Sequence, residues 1–151
     1  MKFIQDNIFN ITCDALFIPT NGSIKKNGDA VMGKGLAKQT ADKWPHIPAR
    51  LGCLLQDGNH TYCLYQRERG HIYSFPTKNN WQEKASLKLI EQSLNELNIL
   101  VETHNWNKIL LPKIGCGCGQ LNWESQVLPL IKRTITEKTN EILWIVERAE
   151  T

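Results

Sequence analysis

Apolar and polar positions divide the chain into short extended runs and helical stretches. Lys2 to Gln5 and Ala15 to Thr20 (ALFIPT) read as strands, the second so continuously apolar that it predicts a strand covered on both faces. Met32 to Trp44 carries helix formers and stops before Pro45, and a short helix is expected from Ile47 to Leu55. His60 to Tyr65 and His71 to Phe75 alternate around Gln66 to Gly70, the pattern of an antiparallel hairpin. From Gln82 to Thr103, Leu87, Ile90, Leu94, Leu97 and Val101 recur near helical spacing and predict one long amphipathic helix. Lys108 to Leu111 reads as a strand, Trp123 to Glu137 as a helix with Pro129 disturbing its early part, and Ile142 to Val146 as a last buried strand. Strands alternating with helices predict a three-layer α/β/α sandwich with a mixed, mostly parallel central sheet. Ligands in such sheets bind beyond the carboxyl ends of the strands.

The 151 residues, 41% of them hydrophobic, have the size of one domain, and residues 1–151 show no repeat and no linker. A net charge of +3 comes without a run of like charges and does not name a partner. No apolar run reaches the ~18 residues a membrane span needs, and no leader pattern opens the chain, so no membrane association is expected. Cys13, Cys53, Cys63, Cys116 and Cys118 lack disulfide or zinc spacing and suit free thiols in a reducing, cytoplasmic setting. Cys116-Gly117-Cys118 alone is not a metal motif, and no metal and no cofactor are expected. A monomer is expected.

Two glycine-rich loops carry the strongest chemical signal. Gly28-Asp29-Ala30-Val31-Met32-Gly33-Lys34-Gly35 and Ile114-Gly115-Cys116-Gly117-Cys118-Gly119 each lie between a strand-like and a helix-like run. Such turns offer unpaired backbone N–H groups and the positive end of a helix dipole, so the pair predicts a pyrophosphate gripped from two sides. Neither loop has the G-x-x-x-x-G-K-[ST] pattern, and Leu36 stands where that motif would place a magnesium-binding hydroxyl. Asn21, just after ALFIPT, suits either a turn on its own backbone or a ligand hydroxyl. Asp6 at the end of the first strand suits an Asx turn or an amino group of a ligand, and Asp29 a helix cap or a ribose contact. Lys78 follows Phe75-Pro76-Thr77, where a strand ends. There a lysine is either a surface charge, an anion partner or an amine nucleophile. Trp81 suits helix packing or stacking on a base or ribose, Trp123 suits the core, and the four histidines show no ligand spacing.

These residues together resemble a known family. Gln5-Asp6, Asn21, Val31-Met32-Gly33-Lys34-Gly35-Leu36-Ala37, Phe75-Pro76-Thr77-Lys78 and Leu111-Pro112-Lys113-Ile114-Gly115-Cys116-Gly117 through Leu121-Asn122-Trp123-Glu124 look like a macrodomain over nearly the whole chain. Within it, M-G-K-G and F-P-T-K-x-x-W resemble the branch of the DNA ADP-ribosyl glycohydrolase antitoxins and the terminal ADP-ribose protein glycohydrolase of animals. The resemblance implies an ADP-ribose site. Asp6 would hold the adenine amino group, and Asn7 and Ile8 would belong to the same ADP-ribose-binding set. Asp29, Val31, Met32, Gly33, Lys34 and Gly35 would wrap the diphosphate together with Ile114, Gly115, Cys116, Gly117, Cys118 and Gly119. Asn21 would approach the distal ribose, Thr77 would also bind ADP-ribose, Trp81 would stack on the modified nucleotide, and Lys78 would be the catalytic lysine. The animal enzyme has an aspartate where Gly119 stands, and the antitoxin branch has glycine, so the resemblance leans to the antitoxins.

The implied activity is removal of single ADP-ribose units from a DNA base or an acidic protein side chain, with the ADP-ribosylated macromolecule as partner. Because the antitoxins carry a toxin-binding region after the macrodomain and this chain ends at Thr151, enzymatic reversal is expected rather than toxin binding. A non-catalytic reader and a hydrolase of ADP-ribose 1''-phosphate or O-acetyl-ADP-ribose are the competing readings.

Overall fold

In the computed structural model, which describes residues 1–148, six strands form one sheet. They are β1 (Lys2–Gln5), β2 (Ala15–Thr20), β3 (Cys63–Tyr65), β4 (His71–Pro76), β5 (Ile109–Pro112) and β6 (Leu143–Glu147), in the order β1-β6-β5-β2-β4-β3. All neighbouring pairs are parallel except β3 with β4, so the sheet is mixed and mostly parallel. The domain expectation extends to Thr151, and residues 149–151 lie outside the described residues.

Period-two alternation sends successive side chains to opposite faces. Leu16, Ile18, Ile72 and Leu110 pack with Ile47 and Leu51 of α2 (Ile47–Leu54), with α1 (Gly35–Lys43) beside it. Phe17, Phe75, Ile109 and Leu111 pack on the other face against Ile90, Leu94, Leu97 and Val101 of α3 (Leu87–Thr103) and Ile131 of α4 (Leu128–Thr134). A sixth-strand neighbour, α5 (Glu137–Ile142), leads into β6. Removing Leu97, which has no exposed surface, would cost about 2–5 kcal/mol on truncation to alanine.

Several boundaries differ from the sequence pattern. The first helix begins at Gly35 instead of Met32, because Met32 is buried in the core and Lys34 is still extended at φ −145° and ψ 156°. His60 and Thr61 are not strand. Glu96 of α3 takes the Thr61 N–H at 2.8 Å and meets His60 Nδ1 at 2.6 Å, which draws this stretch toward the helix. The long helix starts at Leu87, capped by Ser86, whose Oγ accepts from Leu89 N. Residues 82–86 loop instead toward the second glycine-rich segment, where Ala85 N donates to Gly119 O at 3.0 Å. The stretch from Trp123 to Glu137 is three pieces: a π-helical turn Trp123–Val127 capped by Asn122, then α4, then α5 capped by Thr136. Pro129 sits in the first turn of α4, where its missing N–H leaves no bond unmade.

Candidate functional site

Parallel pairing of β5, β2 and β4 brings Pro112, Thr20 and Pro76 to the same edge of the sheet. Beyond that edge lies a cleft of about 730 Å³. One wall is the segment from Val31 to Ala37, the other is Gly115 with Gly117 to Gln120, and Thr77, Lys78 and Trp81 close it over the end of β4.

The Val31 wall ends in the N-terminus of α1. Lys34 at its N-cap makes no side-chain cap bond, so the first helical N–H groups are not satisfied by a neighbouring side chain. A Cβ built on Gly33, Gly35 or Gly117 would meet nothing within 4 Å, so these backbones border open space and a ligand can approach them closely. Gly35 has φ +58° and Gly115 φ +77°, backbone values that favour glycine. Gln120 adopts φ +63° without being glycine, at the lip of the same cleft. Such a conformation in a non-glycine residue is held by its surroundings, here by the Gln120 N–H donating to Gly117 O at 3.2 Å and the Leu121 N–H to Gly115 O at 2.8 Å.

Lys78 is half-buried, and its Nζ donates to the carbonyl oxygen of Cys118 at 3.3 Å. Among the described residues no carboxylate lies within ion-pair distance of it. Its backbone is fixed by Asn59, whose Nδ2 donates to Lys78 O at 2.9 Å. Lys113, also at the cleft, is tied to Glu147 at 3.0 Å. Cation, helix terminus and open glycine backbone thus converge on one volume that can hold a polyanion and place an amine beside it.

Of the residues singled out in the sequence, Asn21, Val31, Met32, Gly33, Lys34, Gly35, Thr77, Lys78, Trp81, Gly115, Gly117, Cys118 and Gly119 line this cleft. Asp6, Asn7, Ile8, Asp29, Ile114 and Cys116 do not. Asp6 and Asn7 follow β1 at the far edge of the sheet, where Asp6 Oδ1 accepts from Asn7 N and Asn7 Oδ1 from Phe9 N. Ile8 and Ile114 are core residues, and the Cys116 thiol turns back to Ile114 O. Gly28 and Asp29 belong to a separate turn, in which Asn27 Oδ1 accepts from Asp29 N, so only the part of the first loop from Val31 onward forms the wall. Asn21 lines the cleft and also makes a turn: its Oδ1 accepts from Ser23 N and its Nδ2 donates to Val31 O.

Thr20 and Asn59 join the site without having stood out in the sequence. Thr20 Oγ1 is buried in the floor of the cleft without a hydrogen-bond partner among the described residues, and its place at the end of ALFIPT was the available signal. Asn59 had none, since it reaches Lys78 only through the fold. Burial pushes the Cys116 thiol up, whereas Cys118 is exposed at the cleft. No group of three or more His, Cys, Asp or Glu is placed to hold a metal ion, and no helix is long and apolar enough to cross a membrane, among the described residues.

The Macro domain family model matches residues 62–128. The DNA ADP-ribosyl glycohydrolase of Mycobacterium tuberculosis is 30% identical over 101 residues, 62% of this chain and 29% of that protein. A DNA ADP-ribosyl transferase-DNA ADP-ribosyl glycohydrolase fusion protein of Thermosipho africanus is 35% identical over 139 residues, 76% of this chain and 35% of that protein. The chain has the macrodomain fold, and the family model and these relatives match it over part of its length or theirs.

The macrodomain of Mycobacterium tuberculosis DarG superposes with a TM-score of 0.76 at 22% identity, over 100% of both chains. Thermosipho africanus DarTG, solved in complex with ADP-ribose, gives 0.78 at 22% identity over 97% of this chain and 42% of that one. This macrodomain spans about a third of the length of the curated relatives it matches.

Proposed function

We propose that this macrodomain binds ADP-ribose in the cleft and hydrolyses the bond between C1 of its distal ribose and an acceptor, a DNA base before an acidic protein side chain. The observation that carries the reading is Lys78: its Nζ stands 3.3 Å from the Cys118 carbonyl, in the cleft that the α1 N-terminus and two glycine-bearing walls surround. The relatives named DNA ADP-ribosyl glycohydrolase, at 30% identity, support the choice of acceptor.

In this reading the diphosphate lies between Val31 to Gly35 and Gly115 to Gly119, where N–H groups and the helix dipole offset its charge by about 0.3–1 kcal/mol for the dipole alone. The distal ribose lies over Asn21, Thr77 and the hydroxyl of Thr20, which has no partner among the described residues. The adenosine end extends out of the cleft along the same strand ends toward β1, where Asp6 takes the adenine amino group through the carboxylate oxygen not engaged by Asn7. Lys78 serves the cleavage in one of two ways. As an amine it attacks C1, and the acceptor leaves with a proton. The ring C–O bond opens with its oxygen protonated to leave an imine, and water then adds at C1 to release ADP-ribose and the free amine. As an ammonium it stabilises charge on the leaving group and phosphate while water attacks C1.

The deciding experiment compares the natural chain with Lys78→Ala for release of ADP-ribose from a thymidine-modified oligonucleotide and from a glutamate-modified protein. Release from DNA that the variant loses supports the reading. Release from protein alone moves the acceptor to an acidic side chain. No release from either, with ADP-ribose still bound, makes the domain a reader or an enzyme of small metabolites.

A further inference from the structure

The segment between Asn21 and Val31 forms a small hairpin that the ADP-ribose reading does not use. Ile24 bridges Ala30 in antiparallel fashion, Lys25 N donates to Asp29 O at 2.8 Å, Gly28 N to Lys25 O at 2.9 Å, and Val31 N to Ser23 O at 3.0 Å. The hairpin is seated firmly. Its base is clamped by Asn21, Ala30 N donates to Pro48 O at 2.8 Å, and a Cβ on Gly52 of α2 would stand 1.9 Å from Gly28 O. What it presents outward is Ile24, 43% exposed, followed by Lys25 and Lys26, both exposed and without an acidic partner within ion-pair distance among the described residues.

The same hairpin is bonded to the rim of the cleft. Ser23 Oγ accepts from Trp81 N at 3.1 Å. Trp81 is 47% exposed, lines the cleft, and belongs to neither hydrophobic core cluster. From Ser23 to Lys25 is two residues, roughly 7 Å of extended chain, so two exposed lysines follow closely on the residue that holds the Trp81 backbone. An exposed aromatic face next to free cations is the combination that holds a single strand of nucleic acid, with a base on the ring and phosphates on the cations.

We propose that Trp81 and the Lys25-Lys26 hairpin form the docking surface for single-stranded DNA flanking the modified nucleotide. The proposal rests on the hydrolase reading for its purpose, though not for its geometry. A single strand is required because a base in a duplex is stacked and cannot bring its ribose linkage into a cleft at the sheet edge. Charge complementarity selects a polyanion, and the ring, which a carboxylate-rich peptide would not use, selects bases.

The test measures anisotropy of a fluorescein-labelled, unmodified single-stranded oligonucleotide over a range of salt, for the natural chain, Lys25→Glu/Lys26→Glu and Trp81→Ala. ADP-ribose calorimetry is run on each. The expected result is salt-dependent binding whose slope of log K against log salt flattens by about 1.4 in the double variant, at ~0.7 per phosphate contact. Trp81→Ala weakens binding about 5- to 150-fold. The heat of ADP-ribose binding is unchanged in the lysine variant, which reports that it is folded. The surface is overturned if the oligonucleotide does not bind, if the slope is unchanged in the lysine variant, or if Trp81→Ala binds as tightly as the natural chain. Absence of ADP-ribose heat in the natural chain, with oligonucleotide binding and its loss in the variants intact, would instead overturn the hydrolase reading and leave the surface standing.

Discussion

A Cβ on Gly119 would stand 2.5 Å from the carbonyl oxygen of Gly115, and 2.8 Å from the Cβ of Ala85. The second glycine-rich wall therefore folds back on itself and against the approach to α3 with no room for a side chain. Gly119→Ala should open or shift this wall, and Gly119→Asp more so, because a carboxylate would also repel phosphate. Calorimetry with ADP-ribose should show at least a tenfold loss for both; unchanged affinity would mean that the wall does not grip the ligand.

Lys78 is the second test. Lys78→Ala should lower turnover about 10²- to 10³-fold, the usual cost of removing one preorganised charge stabiliser, with a much smaller effect on ADP-ribose affinity. Lys78→Arg separates the two chemical roles, since arginine keeps the charge and cannot form the imine. Recovery in Lys78→Arg supports the electrostatic role. Borohydride trapping of a sugar adduct on Lys78 in the natural chain supports the covalent one.

Asn59 acts on Lys78 from behind, through its 2.9 Å bond to the Lys78 carbonyl. Asn59→Ala should reduce kcat and leave KM nearly unchanged, because the cleft walls do not involve this residue. A parallel loss of ADP-ribose affinity in calorimetry would show that the effect is structural and not one of positioning.

The five thiols should react in a set order. Cys53 and Cys118 are exposed, whereas burial pushes Cys13 from 9.0 up to about 11 and also raises Cys63 and Cys116. Mass spectrometry after brief treatment with iodoacetamide near pH 8 should find Cys53 and Cys118 labelled first. ADP-ribose should protect Cys118 and not Cys53, because only Cys118 lines the cleft.

The same burial makes stability depend on alkaline pH. The folded state holds the Cys13 proton up to about 11, while the unfolded chain loses it near 9.0, so unfolding releases a proton between these values. That contribution is fully present below about pH 9 and is lost as pH rises toward 11. Tyr73, raised by burial to about 12, acts in the same direction at still higher pH. Melting temperature should fall from pH 9 to 11, and Cys13→Ala should make that fall shallower.

The sequence by itself determined the alternation of strands and helices, the mixed sheet, the two faces of β2 and the presence of two glycine-rich loops. These follow from local periodicity and from which residues can turn, properties a chain carries before it folds. ALFIPT is apolar on both faces because it must be buried on both. Element ends were less legible, since Glu96 draws His60 and Thr61 away from the strand and Ala85 bonds to Gly119 instead of continuing a helix upstream. Only the tertiary structure decided what meets in the cleft. Parallel pairing of β5, β2 and β4 brings Lys78 onto the Cys118 carbonyl, forty positions away, and Asn59 onto Lys78 O. It also split the first glycine loop, because Gly28 packs on Gly52 and Val31 begins the wall. Such contacts depend on strand order and on where distant backbone comes to rest, which no window of sequence encodes.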